Sequence, residues 1–216
     1  MIGSSSWTKL EMPELGAQIE AARLAWDHSQ CADGAAEADP RMNQIRDAHR
    51  LLASEPERAF AIVLALANQD FSWAMLQVAW CFEFGLGTAT SQLDAEAWYR
   101  RARDAGCERA ILELGRTLAA RGALDQAIEV YSDGVAREWA PALSRTAILQ
   151  LTRATTAPER RRWRTMLERA AELGSPNAKA WLARGMAKGW FGIWRIPLGF
   201  WLGFQVLKDL DRAVEP

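Results

Sequence analysis

The sequence predicts an all-α chain, an α-α superhelix or solenoid of antiparallel helix hairpins, and two observations predict it. Strand-forming runs are nearly absent, while Ala, Leu, Glu, Arg and Gln fill most segments, with apolar residues recurring at spacings of three and four. From Ser72 onward the chain repeats itself. Four segments open on alanine, at Ala74, Ala110, Ala142 and Ala178, with steps of 36, 32 and 36 residues, within the period of helical-hairpin arrays.

The elements follow in order. Residues 1–40 form an N-terminal helix and linker, with Leu15, Ile19, Ala22 and Trp26 on one face of a helix from Pro13 to Gln30 and a small-residue turn from Cys31 to Pro40. Residues 41–71 form a helix pair, Met42 to Ala53 and Pro56 to Asn68, in which Ser54 can cap the second helix and Pro56 can occupy its first turn. Residues 72–216 hold the repeats and an apolar, aromatic C-terminal helix.

Within each repeat the pattern has a physical sense. Four residues after the leading alanine come Val78, Leu114, Thr146 and Leu182, and eight after it come Phe82, Leu118, Gln150 and Met186. These positions form one ridge of a helix. The residue beside the ridge is always small, Ala79, Gly115, Ala147 or Ala183, which lets a partner helix approach closely. Gly85, Gly122 and Gly189 end three of the four helices with a left-handed cap. The third repeat, with Thr146, Gln150 and no closing glycine, is expected to be the least regular. Partner helices repeat too: Ala95, Trp98, Tyr99 and Ala102 run to Gly106, Ala127 to Tyr131 lead to Gly134, and Trp163 to Ala171 lead to Gly174. Asp94 and Asp125 precede two of them and can cap or favour their positive ends.

On these residues the chain resembles the Sel1-like repeats, relatives of the tetratricopeptide repeats. Ala74, Ala79, Phe82, Gly85, Asp94, Ala95, Trp98, Tyr99, Ala102 and Gly106 carry the match in the first repeat. Ala110, Leu114, Gly115, Gly122 and Ala127 extend it, and Ala170, Ala171, Gly174, Ala178, Leu182 and Gly189 mark the last two. The pair at 41–71 is a looser tetratricopeptide-like unit. The resemblance implies a right-handed superhelix of antiparallel helix pairs that serves as a protein-binding scaffold or adaptor, often in bacterial signalling or envelope assembly, and it implies no chemistry. If the geometry is tetratricopeptide-like, the first helix of each pair lines the concave face. That selects Trp73, Leu76, Trp80 and Glu83, then Arg109, Leu112 and Arg116, and finally Asn177 and Arg184, as residues facing a protein or peptide partner. Trp and Arg are the side chains that most often anchor interfaces. The alternative stays open that the tryptophans pack between repeats and the arginines are solvated, and for Leu112 packing is the favoured reading.

The segment Gly189 to Leu207 is the least ordinary. Between Ile196 and Leu207 only Gln205 is polar, so a helix there must be covered by something. It can close the final hairpin. It can form a homodimer or partner contact through Trp190, Trp194, Phe200, Trp201 and Phe204. It can also lie in a membrane interface with Lys188, Arg195 and Lys208 at headgroup level, since the apolar run is too short to span. Gly199 and Gly203 add a GxxxG spacing. Tails of this kind look like those of some bacterial repeat proteins associated with surface-polysaccharide production, which implies a peripheral assembly or regulatory factor at the inner membrane.

Composition narrows function further. With 26 basic against 27 acidic residues the net charge is −1, so no global field recruits nucleic acid or an anionic membrane. Eleven tryptophans beside two tyrosines suit buried anchors and interfaces. Met1 to Leu10 lacks an apolar run after a basic start, so a cytoplasmic location is expected rather than secretion. Cys31, Cys81 and Cys107, an odd number far apart, read as reduced thiols.

His28 and Cys31 form H-x-x-C beside Asp33, but a zinc site wants about four ligands, and His49 is the only other histidine. His28 reads as a helix terminus. No nucleophile elbow, P-loop or dinucleotide fingerprint is present, and Gly85-Leu-Gly87 falls where a helix cap is expected. The cluster Pro158 to Arg164 reads as a solvated helix start, because Trp163, Leu167 and Ala170 claim one face and Glu159, Glu168 and Glu172 stand beside the arginines. Neither an enzyme, a cofactor, a metal nor a nucleic-acid partner is expected.

Overall fold

A computed structural model describes residues 39–214. The helix expected from Pro13 to Gln30, with His28, Cys31 and most of the linker, lies outside the described residues. So does the N-terminal stretch from Met1 to Leu10. Among the described residues there are ten α-helices, one short 3-10 turn and no strand. They fall into two compact units, divided between Asp133 and Gly134.

The N-terminal unit holds α1 (Arg41–Leu51), α2 (Pro56–Ala67), α3 (Ser72–Phe84), α4 (Gln92–Asp104) and α5 (Glu108–Ala120), and most of α6 (Leu124–Ala136). Each of α1 to α4 packs on the helix that follows it, as a hairpin array requires. Pro56 occupies the first turn of α2, but the capping residue is Glu55, not Ser54. With Pro56 at the first helical position, the residue before it must be the cap, and the Glu55 carboxylate binds Arg58 at 3.0 Å instead. Ser91 Oγ caps α4 by accepting from the Asp94 amide at 3.2 Å. Asp94 and Asp125 therefore sit inside the first turns of α4 and α6, where their charge favours the helix N-terminus.

The expected ridge is the core of this unit: Ala74, Val78, Ala110, Leu114 and Leu118 are fully buried. Phe82 is half-buried, its ring edge-on to Phe60 of α2 with centroids 5.5 Å apart. The small position beside the ridge does what its size implies. A Cβ on Gly115 would overlap the Tyr131 ring, so α6 reaches α5 with an aromatic side chain laid directly on backbone. The buried Tyr131 hydroxyl donates to the Leu112 carbonyl at 3.4 Å.

The C-terminal unit holds α7 (Ala140–Arg153), α8 (Ala157–Glu172), α9 (Pro176–Ala187), the 3-10 turn (Ile193–Arg195) and α10 (Ile196–Val214). Leu143, Ala147, Leu151, Leu167, Leu182 and Met186 form its core, with Phe191 closing one end. The repeat expected to be least regular is helical throughout. α7 runs 14 residues and α8 runs 16, and α8 opens with a complete capping box, Thr156 Oγ1 to the Glu159 amide and Glu159 back to the Thr156 amide. The cost of its degraded pattern is local: Thr146 is buried with its hydroxyl unpartnered. Gly134 does not end a helix. It lies within α6, where a Cβ would meet Ala142 Cβ at 2.6 Å, and Glu138 takes the left-handed turn at φ 54°.

α10 closes the last hairpin by packing along α9. A Cβ on Gly199 would fall 2.7 Å from Met186 Cβ and 2.9 Å from the Ala183 carbonyl oxygen, so the GxxxG face is the one turned to α9. No helix among the described residues is long and apolar enough to cross a membrane.

Candidate interaction surface

Five of the nine concave-face candidates, Trp73, Trp80, Glu83, Arg109 and Arg116, converge on one strip in the N-terminal unit. Residues seven apart are about two helical turns apart, so Trp73 and Trp80 share one stripe of α3, and Arg109 and Arg116 share one stripe of α5. The Arg109 guanidinium lies over both indoles, 5.5 Å from the Trp73 ring and 4.7 Å from the Trp80 ring. One cation from α5 thus serves two π faces of α3 in the preceding hairpin.

One turn further along, charge replaces aromatic contact. Arg116 Nη2 donates to both oxygens of Glu83, at 2.6 and 2.7 Å, and Arg116 Nε donates to Glu113 at 2.8 Å. The Tyr99 hydroxyl of α4 donates to the same Glu83 at 2.6 Å. Burial disfavours the charged guanidinium, but its hydrogen bonds to Glu83 and Glu113 outweigh that and hold Arg116 above its ordinary value. Burial, followed by the Glu83 carboxylate, pushes the Tyr99 phenol far up, so it remains a donor. Two carboxylates sharing one guanidinium leave this cluster with an excess negative charge.

Two clefts flank the strip. One of about 340 Å³ is lined by Ala48, His49, Val63, Gln77, Trp80 and Cys81, with His49 Nε2 and Gln77 Oε1 paired at 2.7 Å on its wall. The other, about 360 Å³, is lined by Glu83, Leu93, Glu96, Arg116 and Arg121. Leu93 stands exposed at its mouth. Leu76 and Leu112, selected by the same register, are instead core residues. Their stripe turns under the strip rather than over it.

Arg184 belongs to the C-terminal unit, exposed, with its guanidinium 5.5 Å from the Trp181 ring. Of the C-terminal contact segment, Trp190 is half-buried against the core with Lys188 Nζ 5.3 Å from its ring, whereas Trp194, Phe200, Trp201 and Phe204 are exposed. Glu113 and Tyr99 were not legible as members of the cluster. The available signals were the i, i+3 spacing of Glu113 to Arg116 and the repeated position of the tyrosine in the partner helix.

Cys81 and Cys107 are buried thiols, and burial pushes the Cys81 thiol up to about 11. Among the described residues no group of three His, Cys, Asp or Glu side chains is placed to hold a metal ion. The arginine cluster of α8 is engaged locally: Arg160 donates to the Thr155 carbonyl, Arg162 lies 4.8 Å from the Trp163 ring and Arg164 pairs with Glu168 at 3.1 Å.

Comparison with solved structures decides the fold. A Sel1 repeat protein from Oxalobacter formigenes superposes with a TM-score of 0.61 at 14% identity, covering 87% of this chain and 84% of that one. The chain has the Sel1-like repeat fold. A second Sel1-like repeat structure, c5321, a protective antigen of uropathogenic Escherichia coli strains, gives a TM-score of 0.59 at 18% identity over 83% of this chain. This chain spans 43% of that protein's length. No protein-family model matches the sequence, and no curated protein matches it. The Sel1-like likeness is therefore carried by backbone arrangement and by the ridge and small-residue register, not by overall identity.

Proposed function

We propose that this chain is a scaffold that binds a protein or peptide partner along the strip formed by Trp73, Trp80 and Glu83 with Arg109 and Arg116. Helical-hairpin arrays use extended surfaces of this kind for binding. The observation that carries the reading is the placement of half-buried indoles and a fork of charges between two clefts, on the first helices of consecutive hairpins. A backbone segment laid along the strip can seat an apolar side chain in the cleft beside Trp80. It can present a polar or charged side chain to the cleft beside Glu83, where Glu96, Arg116 and Arg121 also line the wall. Indole and guanidinium side chains are the ones whose truncation most often costs binding.

The reading is one of recognition rather than turnover. Its test is quantitative affinity capture with the wild-type chain, Trp80→Ala and Arg109→Gln. A partner that reads the strip is retained by the wild-type chain and lost by about tenfold or more in each variant, with far-ultraviolet circular dichroism unchanged. If every retained protein is captured equally by all three, the strip is not the binding surface.

A further inference from the structure

The outward face of α10 carries a second surface with its own chemistry. Trp194 is 91% exposed, Phe200 68%, Trp201 57% and Phe204 62%, and Leu198 is exposed beside them. They stay outward because the opposite face, Gly199 and Gly203, is consumed by α9. Phe200 and Phe204 line a shallow groove of about 430 Å³ with Ala180, Ala183, Arg184 and Ala187.

Charge decides what covers this face. Between Glu172 and Asp209 the chain contains no acidic residue, yet it carries Lys179, Arg184, Lys188, Arg195 and Lys208. Arg184 of α9 lines the groove, and Lys188, the C-cap residue of α9, is exposed one turn further along. A second copy docked about a two-fold axis would set Arg184 and Lys188 against themselves, and the stretch between Glu172 and Asp209 supplies no carboxylate to relieve them. An anionic bilayer surface matches both halves of the pattern, phosphate against the cations and the acyl boundary against indole and phenyl rings. We infer that the α10 face, framed by Arg184 and Lys188, is a peripheral docking surface for anionic lipid bilayers, independent of the strip in the N-terminal unit.

Binding here is interfacial, since no described helix is suited to cross. Indole belongs at the headgroup level, where one edge is apolar and the other wet. Coulombic attraction supplies the lipid selectivity and the salt dependence.

The test is co-sedimentation of the full chain with vesicles of phosphatidylcholine alone and with vesicles containing about 30% phosphatidylglycerol. Expected is binding to the anionic vesicles, weaker by at least about tenfold on the neutral ones and reduced in about 0.5 M NaCl. Phe200→Ser with Trp201→Ser, and separately Arg184→Glu with Lys188→Glu, each lower it by at least about tenfold with unchanged circular dichroism. The charge variant sits on α9, so it tests the surface without touching the α10 rings. Absence of binding by the full chain, or binding that survives both variants, overturns the inference. So does a concentration-dependent dimer in sedimentation velocity that Trp201→Ser dissolves, which would assign the face to a second copy, as would a protein ligand that competes only for the wild-type face while vesicles do not.

Discussion

In the N-terminal unit Trp73 and Trp80 lie against a guanidinium that the next hairpin supplies, whereas on α10 Phe200, Trp201 and Phe204 remain open to solvent. Both regions are aromatic helix surfaces in the same kind of array. They differ in what stands at the matching register of the neighbouring helix. α5 presents Arg109 and Arg116 opposite the α3 stripe, and Glu83 and Glu113 hold Arg116 in place. α9 presents alanines opposite the glycine face of α10, which draws that face inward and leaves the rings outside. Aromatic content alone assigns neither role; the residue across the groove does.

The comparison can be broken most directly at Gly199. Gly199→Leu forces side-chain atoms into Met186 and the Ala183 carbonyl and is expected to destabilise the chain by about 1–3 kcal/mol, or somewhat more, in urea unfolding. Trp201→Ser on the opposite face should stay within about 0.5 kcal/mol. Equal losses would mean the α10 rings are packed rather than displayed.

Next in size is Arg116. Arg116→Leu leaves the half-buried Glu83 and the buried Glu113 without a cation and is expected to cost about 1–3 kcal/mol. Arg184→Leu, at an exposed site, should fall within about 0.5 kcal/mol. A comparable loss at both would erase the distinction between a held and a free guanidinium. Smaller again is Arg109→Gln, which removes the cation from two rings at a cost of about 0.5–2 kcal/mol and should alter tryptophan emission, an effect that Arg184→Gln would show only through Trp181.

The last contrast concerns Cys81, which borders the strip at the cleft beside Trp80. Burial favours its neutral thiol, so the stabilisation is fully present below the unfolded value near 9.0 and is lost as pH rises toward about 11. Cys81→Ala should flatten unfolding free energy across that window relative to the wild-type chain. In the folded chain at pH 8, Cys81 should resist thiol reagents that label it readily after unfolding.

Much of this was legible in the sequence for a physical reason. Alanine at the start of each first helix and a small residue five positions later are steric requirements of close helix approach, so Gly115 against Tyr131 follows from the repeat itself. Counting outward from the same alanine also found the strip residues. The count could not tell that they satisfy one another, because pairing depends on how neighbouring hairpins are phased, and that phase is set by loops. It likewise placed Leu76 on the surface, although it is core, whereas Leu112 is packed as favoured for it. On α10 the apolar residues run all round, so periodicity carries no orientation, and only the two glycines marked the face turned inward. Ser54 failed as a cap because Pro56 dictates which residue precedes the first turn.

One feature of the strip reaches beyond the residues in it. Arg109 meets Trp73 and Trp80 only because a short connection, from Ala105 to Cys107, delivers α5 with one particular rotation about its axis. Adding a single residue there would turn the helix by about 100°, swinging the guanidinium from the indoles while the hairpins themselves could still stack. Loop length between repeats is thus a specificity element: an insertion could leave the folded chain intact and silently rewrite what its surface recognises.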